Sequence, residues 1–159
     1  MGWILNKFYK TLEAIAKIEK VPIIYHKNMV ALNEALYTHE ELEMTPPGHW
    51  AVACYRHSIG KANGEIHMSR KDVWSLAHEL GHHFGIKCNN DPSEEMAEIA
   101  TSMLANRFIP GWQRMFIGIE ISVYAPKTLI KKKGNIWEEI TSDLSESLKE
   151  SGKEKILNL

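Results

Sequence analysis

His78 and His82 stand one helical turn apart, so on a helix their imidazoles share a face and can close on a single metal ion. Glu79 is then carried beside that ion. In the stretch His78-Glu79-Leu80-Gly81-His82 the residue types and spacing suit a site in which neutral imidazoles hold Zn²⁺. A carboxylate at the second position can take the proton of a water attacking a peptide carbonyl. The expected chemistry is zinc-assisted peptide hydrolysis, with His78 and His82 as ligands and Glu79 as general base.

Eight histidines in one chain raise the chance of an accidental pattern, so the flanking residues have to carry weight. Ser69-Arg70-Lys71-Asp72 reads as a capping box at a helix start. Val73, Trp74, Leu76, Ala77, Leu80 and Phe84 follow with mainly helical spacing, and Gly85 is the expected C-terminal stop. The motif therefore falls inside a predicted helix, the setting in which its two histidines converge.

A catalytic zinc site takes three protein ligands and leaves a position for water, so a third ligand must come from outside this helix. Asp91-Pro92-Ser93-Glu94-Glu95 reads as a strong helix start, with Asp91 as N-cap and Pro92 at the first helical position, and the helix should run to about Phe108, before Pro110. It offers Glu94, Glu95 and Glu98. Glu98 shares its face with Thr101, Ser102 and Ala105, small residues that allow close helix approach, and is the favoured ligand. Glu94 and Glu95 sit in the first turn, where acids favour the helix dipole, and they remain the alternatives. Cys88 is near enough in sequence to His82 to be considered, but a free thiol is the plainer reading.

The rest of the chain has to position these residues. Trp3, Ile4, Phe8, Leu12 and Ile15 predict a first helix to about Lys20, and Pro22 opens the β-prone run Ile23-Ile24-Tyr25. Met29, Leu32 and Leu36 suggest a short second helix. After the break at Thr45-Pro46-Pro47-Gly48, Trp50 to Tyr55 and Glu65 to Met68 form the arms of a hairpin turning at Asn63-Gly64. The order is helix, strand, helix, hairpin, metal-binding helix. With 159 residues and 44% hydrophobic content, one globular core is expected.

A net charge of -1 gives no electrostatic basis for nucleic-acid binding. Lys7, Lys10, Glu13 and Lys17 interrupt the apolar positions of the first helix, so neither a signal nor a membrane span is expected there. A cytoplasmic protein follows, and Cys54 and Cys88 should be free thiols.

Gly64-Glu65-Ile66-His67-Met68 followed by Leu76-Ala77-His78-Glu79-Leu80-Gly81-His82 resembles the strand and "LAHELGH" helix of the ImmA/IrrE-type metallopeptidases. Glu98, Thr101-Ser102, Leu104-Ala105, Phe108-Ile109 and Pro110 are similar to that family's downstream "E..AN.FA..LL.P" helix. The resemblance covers most of the chain up to Pro110, and matching Pro110 requires one deletion, which leaves Glu94 and Glu95 open beside Glu98. It implies an α+β, zincin-like fold, in which a small twisted sheet with an edge strand beside the metal-binding helix packs against several helices. It also implies a zinc ion, cytoplasmic location in bacteria or their phages, and cleavage of a partner protein, often a helix-turn-helix repressor. His78 and His82 map to the histidine ligands, Glu79 to the catalytic acid/base and Glu98 to the carboxylate ligand. Any repressor would be a separate chain, since no helix-turn-helix module is fused here.

On this reading residues 1–126 form the peptidase domain, and residues 127–159 are a partly helical extension, with Ile140, Leu144, Leu148 and Ile156 on an amphipathic face. Ile117 to Tyr124 suits a short strand or a buried helix end equally. Lys131-Lys132-Lys133 reads as a solvated loop. His57, His67 and His83 are expected near the cleft in structural or solvent-facing roles, and Tyr55, Arg56 and Tyr124 are candidate oxyanion stabilisers. An extended substrate is expected to pair with the strand ending at Met68. The competing function is a zinc-dependent protein-interaction module without proteolysis, which could dispense with Glu79.

Overall fold

The computed structural model describes residues 2–57, 63–109 and 136–150. The expectations for Ile117 to Tyr124, Lys131 to Lys133, Ile156 and a boundary after residue 126 fall outside them.

Helix α1, Trp3–Ile18, buries Phe8, Leu12, Ile15 and Ala16 at helical spacing. Lys20 then takes a left-handed backbone, φ 58°, and turns the chain into strand β1, Ile23–Tyr25. Helix α2, Met29–Leu36, is capped by Asn28, whose side chain accepts from the Ala31 N–H. Helix α3, His39–Met44, buries none of its residues and holds its first turn through a capping box between Thr38 and Glu41. Nothing in its hydrophobic spacing announced it. Strand β2 is Ala53–Arg56 and β3 is Glu65–Met68.

The three strands make a mixed sheet in the order β1-β3-β2, with β1 parallel and β2 antiparallel to β3. Strand β3, expected to offer its edge to a substrate, is therefore central and has no free edge. The edge strand beside the helix that bears His78 and His82 is β2.

Helix α4, Val73–Asn89, carries the paired histidines. Asp72 is its N-cap, accepting from the Ser75 N–H at 3.2 Å and from the Ser75 hydroxyl. Gly85 does not end it, contrary to expectation. The helix runs one further turn to Asn90, whose left-handed backbone (φ 53°) makes the C-cap. Gly85 instead allows close packing, because a Cβ there would lie 2.8 Å from the Met96 Cγ and 3.0 Å from the Asp91 carbonyl oxygen.

Helix α5, Glu94–Phe108, folds back against α4. Its N-cap is Ser93, not Asp91: the Ser93 hydroxyl accepts from the Met96 N–H at 3.2 Å, while Asp91 accepts from Ser93 N–H at 2.9 Å. Helix α6, Ile136–Glu150, lies within the expected helical extension and packs on α1, burying Leu144 and Leu148. The core lies between α1, α4, α5 and the inner face of β3, with Phe8, Leu12, Ile66, Met68, Leu76, Leu80, Phe84 and Leu104 fully buried. No helix among the described residues is long and apolar enough to cross a membrane.

Candidate metal centre

The face of α4 turned from the core presents His78 and His82, and the first residue of α5 meets them. Glu94 Oε2 lies 2.7 Å from His78 Nε2, and Glu94 Oε1 lies 3.3 Å from His82 Nε2. The ligand atoms of these three residues all lie within 4.8 Å of one another. Donor atoms on a tetrahedral zinc with bonds of 2.0–2.1 Å are roughly 3.3 Å apart, so the cluster needs little adjustment to hold the ion. Pro92 lines the cleft beside His82. Burial, joined by the charge of His78, holds the His82 pKa below its ordinary value against Glu94 and Pro92, and so favours the neutral ring a metal requires.

The carboxylate that stands with the two histidines is Glu94, not the favoured Glu98. Glu98 is exposed and stands outside this cluster, because the line of α5 that faces α4 is set by Ala97 and Thr101. Gly81 lies directly under them, and the Thr101 hydroxyl donates to the Ala77 carbonyl at 3.1 Å. Glu94 is three residues before Ala97, hence on that line, whereas Glu98 is rotated by about 100° from Ala97. Small residues did mark the contact face, but Ala97 belongs to it and fixes its direction. Glu95 is likewise exposed and outside the cluster. Cys88 is buried in the core, which pushes its thiol up to about 11, and it too stands outside.

Glu79 is 7% exposed and faces the cleft beside His82. Burial pushes its carboxyl up to about 7, helped by Glu94 and opposed by the charge of His78 and a hydrogen bond from the Tyr55 backbone N–H. Residues 53 to 55 of strand β2 line the same cleft as this carboxylate. The Ser69 N–H reaches the Val52 carbonyl at 3.1 Å, so in the antiparallel alternation residues 52, 54 and 56 direct their backbone groups to β3, and Ala53 and Tyr55 direct theirs outward. The outward edge lies beside Glu79.

A cleft of about 330 Å³ joins these parts, lined by Tyr37, Ala53, Cys54, Tyr55, His57, Glu79, His82, Ile86, Pro92 and Glu94. Of the histidines expected near it, His57 lines it directly. His83 lies one layer behind, 5% exposed. His67 is buried on β3, between His26 at 2.8 Å and Glu65 at 3.0 Å. The Tyr55 hydroxyl is engaged by Gly64 and His83, each at 3.2 Å, so it is not free to stabilise an oxyanion. Arg56 is exposed and does not line the cleft, and Tyr124 lies outside the described residues. A larger groove of about 540 Å³, between α1 and β1, holds none of the three cluster residues.

The sequence reading missed Tyr37, Ile86 and Pro92 as cleft residues. Ile86 follows His82 by one helical turn, a spacing that could have marked it. Comparison with known proteins finds no family model, no curated protein and no solved structure that matches the chain.

Proposed function

We propose that this chain is a zinc-dependent endopeptidase of the ImmA/IrrE type, with a zincin-like fold, acting in the cytoplasm on a specific partner protein such as a separate bacterial or phage helix-turn-helix repressor. The observation that carries the reading is the convergence of His78, His82 and Glu94 beside the buried carboxylate of Glu79 in a cleft bordered by strand β2, whose outer edge is unpaired among the described residues.

In this reading His78, His82 and Glu94 hold the ion. A zinc ion held there would supply Lewis acidity, making water more acidic and the scissile carbonyl more electrophilic. Glu79 accepts the proton of the attacking water and returns it to the leaving amine. An extended substrate pairs with the outward groups of Ala53 on β2, in place of the β3 edge first expected. Such pairing reads backbone and little sequence, so selectivity comes from the cleft walls and from docking of the folded partner.

The test is Glu79→Gln at equal zinc occupancy, with cleavage of candidate repressors as readout. The variant should keep its zinc, because Glu79 is not a ligand, and lose cleavage by about 10²–10⁴-fold, the usual worth of a general acid/base. Equal cleavage by both proteins would exclude Glu79 from the mechanism. A chain that cannot be loaded with zinc would remove the premise, and zinc binding without cleavage of any partner would favour the interaction module.

A further inference from the structure

Tyr55 touches three parts of the candidate centre at once. It lines the cleft together with Glu79 and His82. Its ring lies nearly parallel to that of His82, with centroids 6.4 Å apart and planes 13° from parallel. Its hydroxyl is held from two sides, at 3.2 Å by the Gly64 N–H and at 3.2 Å by His83 Nδ1.

The phenol oxygen accepts from the Gly64 N–H and is hydrogen-bonded to His83 Nδ1. The other ring nitrogen of His83, Nε2, faces Glu19 Oε1 at 3.7 Å. Glu19, just past the end of α1, is held in turn by Lys87 Nζ at 2.8 and 2.9 Å. The opposite side of the phenol is closed by Gly64, where any Cβ would run into the ring. The two hydroxyl bonds fix the far end of the ring and the Gly64 backbone packs against the ring itself, so His82 has a flat wall at a set angle.

We propose that Tyr55 is a positioning residue of the metal centre, locked by Gly64 and His83 so that its ring sets the plane of His82. The inference rests on the zinc reading, and it assigns to β2 a second task beside that of offering an edge. The alternative is a structural role only, in which the hydroxyl network ties α1, α4 and β2 together and the metal does not sense it.

Tyr55→Phe removes both hydroxyl anchors and keeps the ring. Zinc affinity would be measured by chelator competition, the visible spectrum of the cobalt-loaded protein would report ligand geometry, and urea unfolding of the metal-free protein would report the fold. Partners that only orient a ligand are worth about 10–100-fold in metal affinity, so zinc affinity should fall by about 10-fold and the cobalt spectrum should change. His83→Gln loosens one anchor, and it should move both readouts in the same direction by less. It also serves if Tyr55→Phe fails to fold. A lowered urea midpoint with wild-type zinc affinity and an unchanged cobalt spectrum, in whichever variant folds, would overturn the inference and leave the role structural. Absence of zinc binding in the wild type would overturn the zinc reading itself, and this inference with it.

Discussion

Gly81→Ala tests the helix contact on which the third ligand depends. In an isolated helix the change would help, since alanine is favoured over glycine in a helix interior by about 1 kcal/mol. Here the added Cβ would sit 2.8 Å from the Thr101 hydroxyl oxygen and 3.1 Å from the Ala97 carbonyl carbon, with the Ala97 carbonyl oxygen nearer still. Backbone atoms cannot rotate away as a flexible side chain can, so α5 has to retreat by about 1 Å, at the roughly 1–3 kcal/mol typical of overpacking. The Thr101 bond to the Ala77 carbonyl, 3.1 Å long, stretches with it. Overpacking against backbone should cancel or outweigh propensity, giving a net destabilisation of about 0–2 kcal/mol.

The same retreat carries Glu94, because it precedes Ala97 by one turn on one rigid helix. Glu94 now meets His78 and His82 at 2.7 and 3.3 Å, so a movement of about 1 Å is large on that scale. Mutating groups that merely orient a ligand costs about 10–100-fold in affinity, and displacing the ligand itself should cost at least that much. Chelator competition for zinc and urea unfolding of the metal-free protein would be measured for Gly81→Ala beside Gly48→Ala, whose added Cβ meets nothing within 4 Å. A raised urea midpoint with unchanged zinc affinity in Gly81→Ala would refute the close α4–α5 contact and its hold on Glu94.

Glu94→Ala should weaken zinc binding, while Glu98→Ala and Glu95→Ala should leave it within about 2-fold; a larger loss for Glu98→Ala in chelator competition would restore the sequence-based ligand. Asn33 is 1% exposed and binds the Met29 carbonyl and both backbone groups of Ala51, at 2.7, 2.8 and 3.0 Å, just ahead of β2. Asn33→Ala should lower stability in urea by about 2–4 kcal/mol, because two polar backbone groups lose their partner, and a loss below the error of the measurement would show that water replaces the amide. Burial opposes ionisation of Glu19, yet His83 at 3.7 Å and the Lys87 ammonium, hydrogen-bonded at 2.8 and 2.9 Å, hold its pKa below the ordinary 4.5. Its contribution is therefore present above pH 4.5 and lost as pH falls through the lower folded value, so wild type and Glu19→Gln should differ in urea midpoint at pH 7 and converge below that window. Parallel pH profiles for the two proteins would remove Glu19 from the network.

The paired histidines, the glutamate between them and the helix that bears them were legible without coordinates, because a period of 3.6 residues converts local spacing into a shared face. The same holds for α1, α2, β1 and β3, whose apolar runs and flanking breakers are local signals. The third ligand was not local. Which carboxylate of α5 meets the histidines depends on how that helix is rotated against α4, and the rotation is set by Gly81 under Ala97 and Thr101, residues 16 and 20 positions away. The free edge was not local either. A hairpin read from sequence gives two adjacent strands, but only the parallel docking of β1 on β3 decides that β3 is interior and β2 outermost. The fate of Gly85 follows the same rule: a glycine near a helix end reads as a stop until a neighbouring helix needs the space its side chain would fill. Sequence determined most of the elements and the two histidines that one helix can align by itself, and tertiary packing decided what required two elements to agree on a distance.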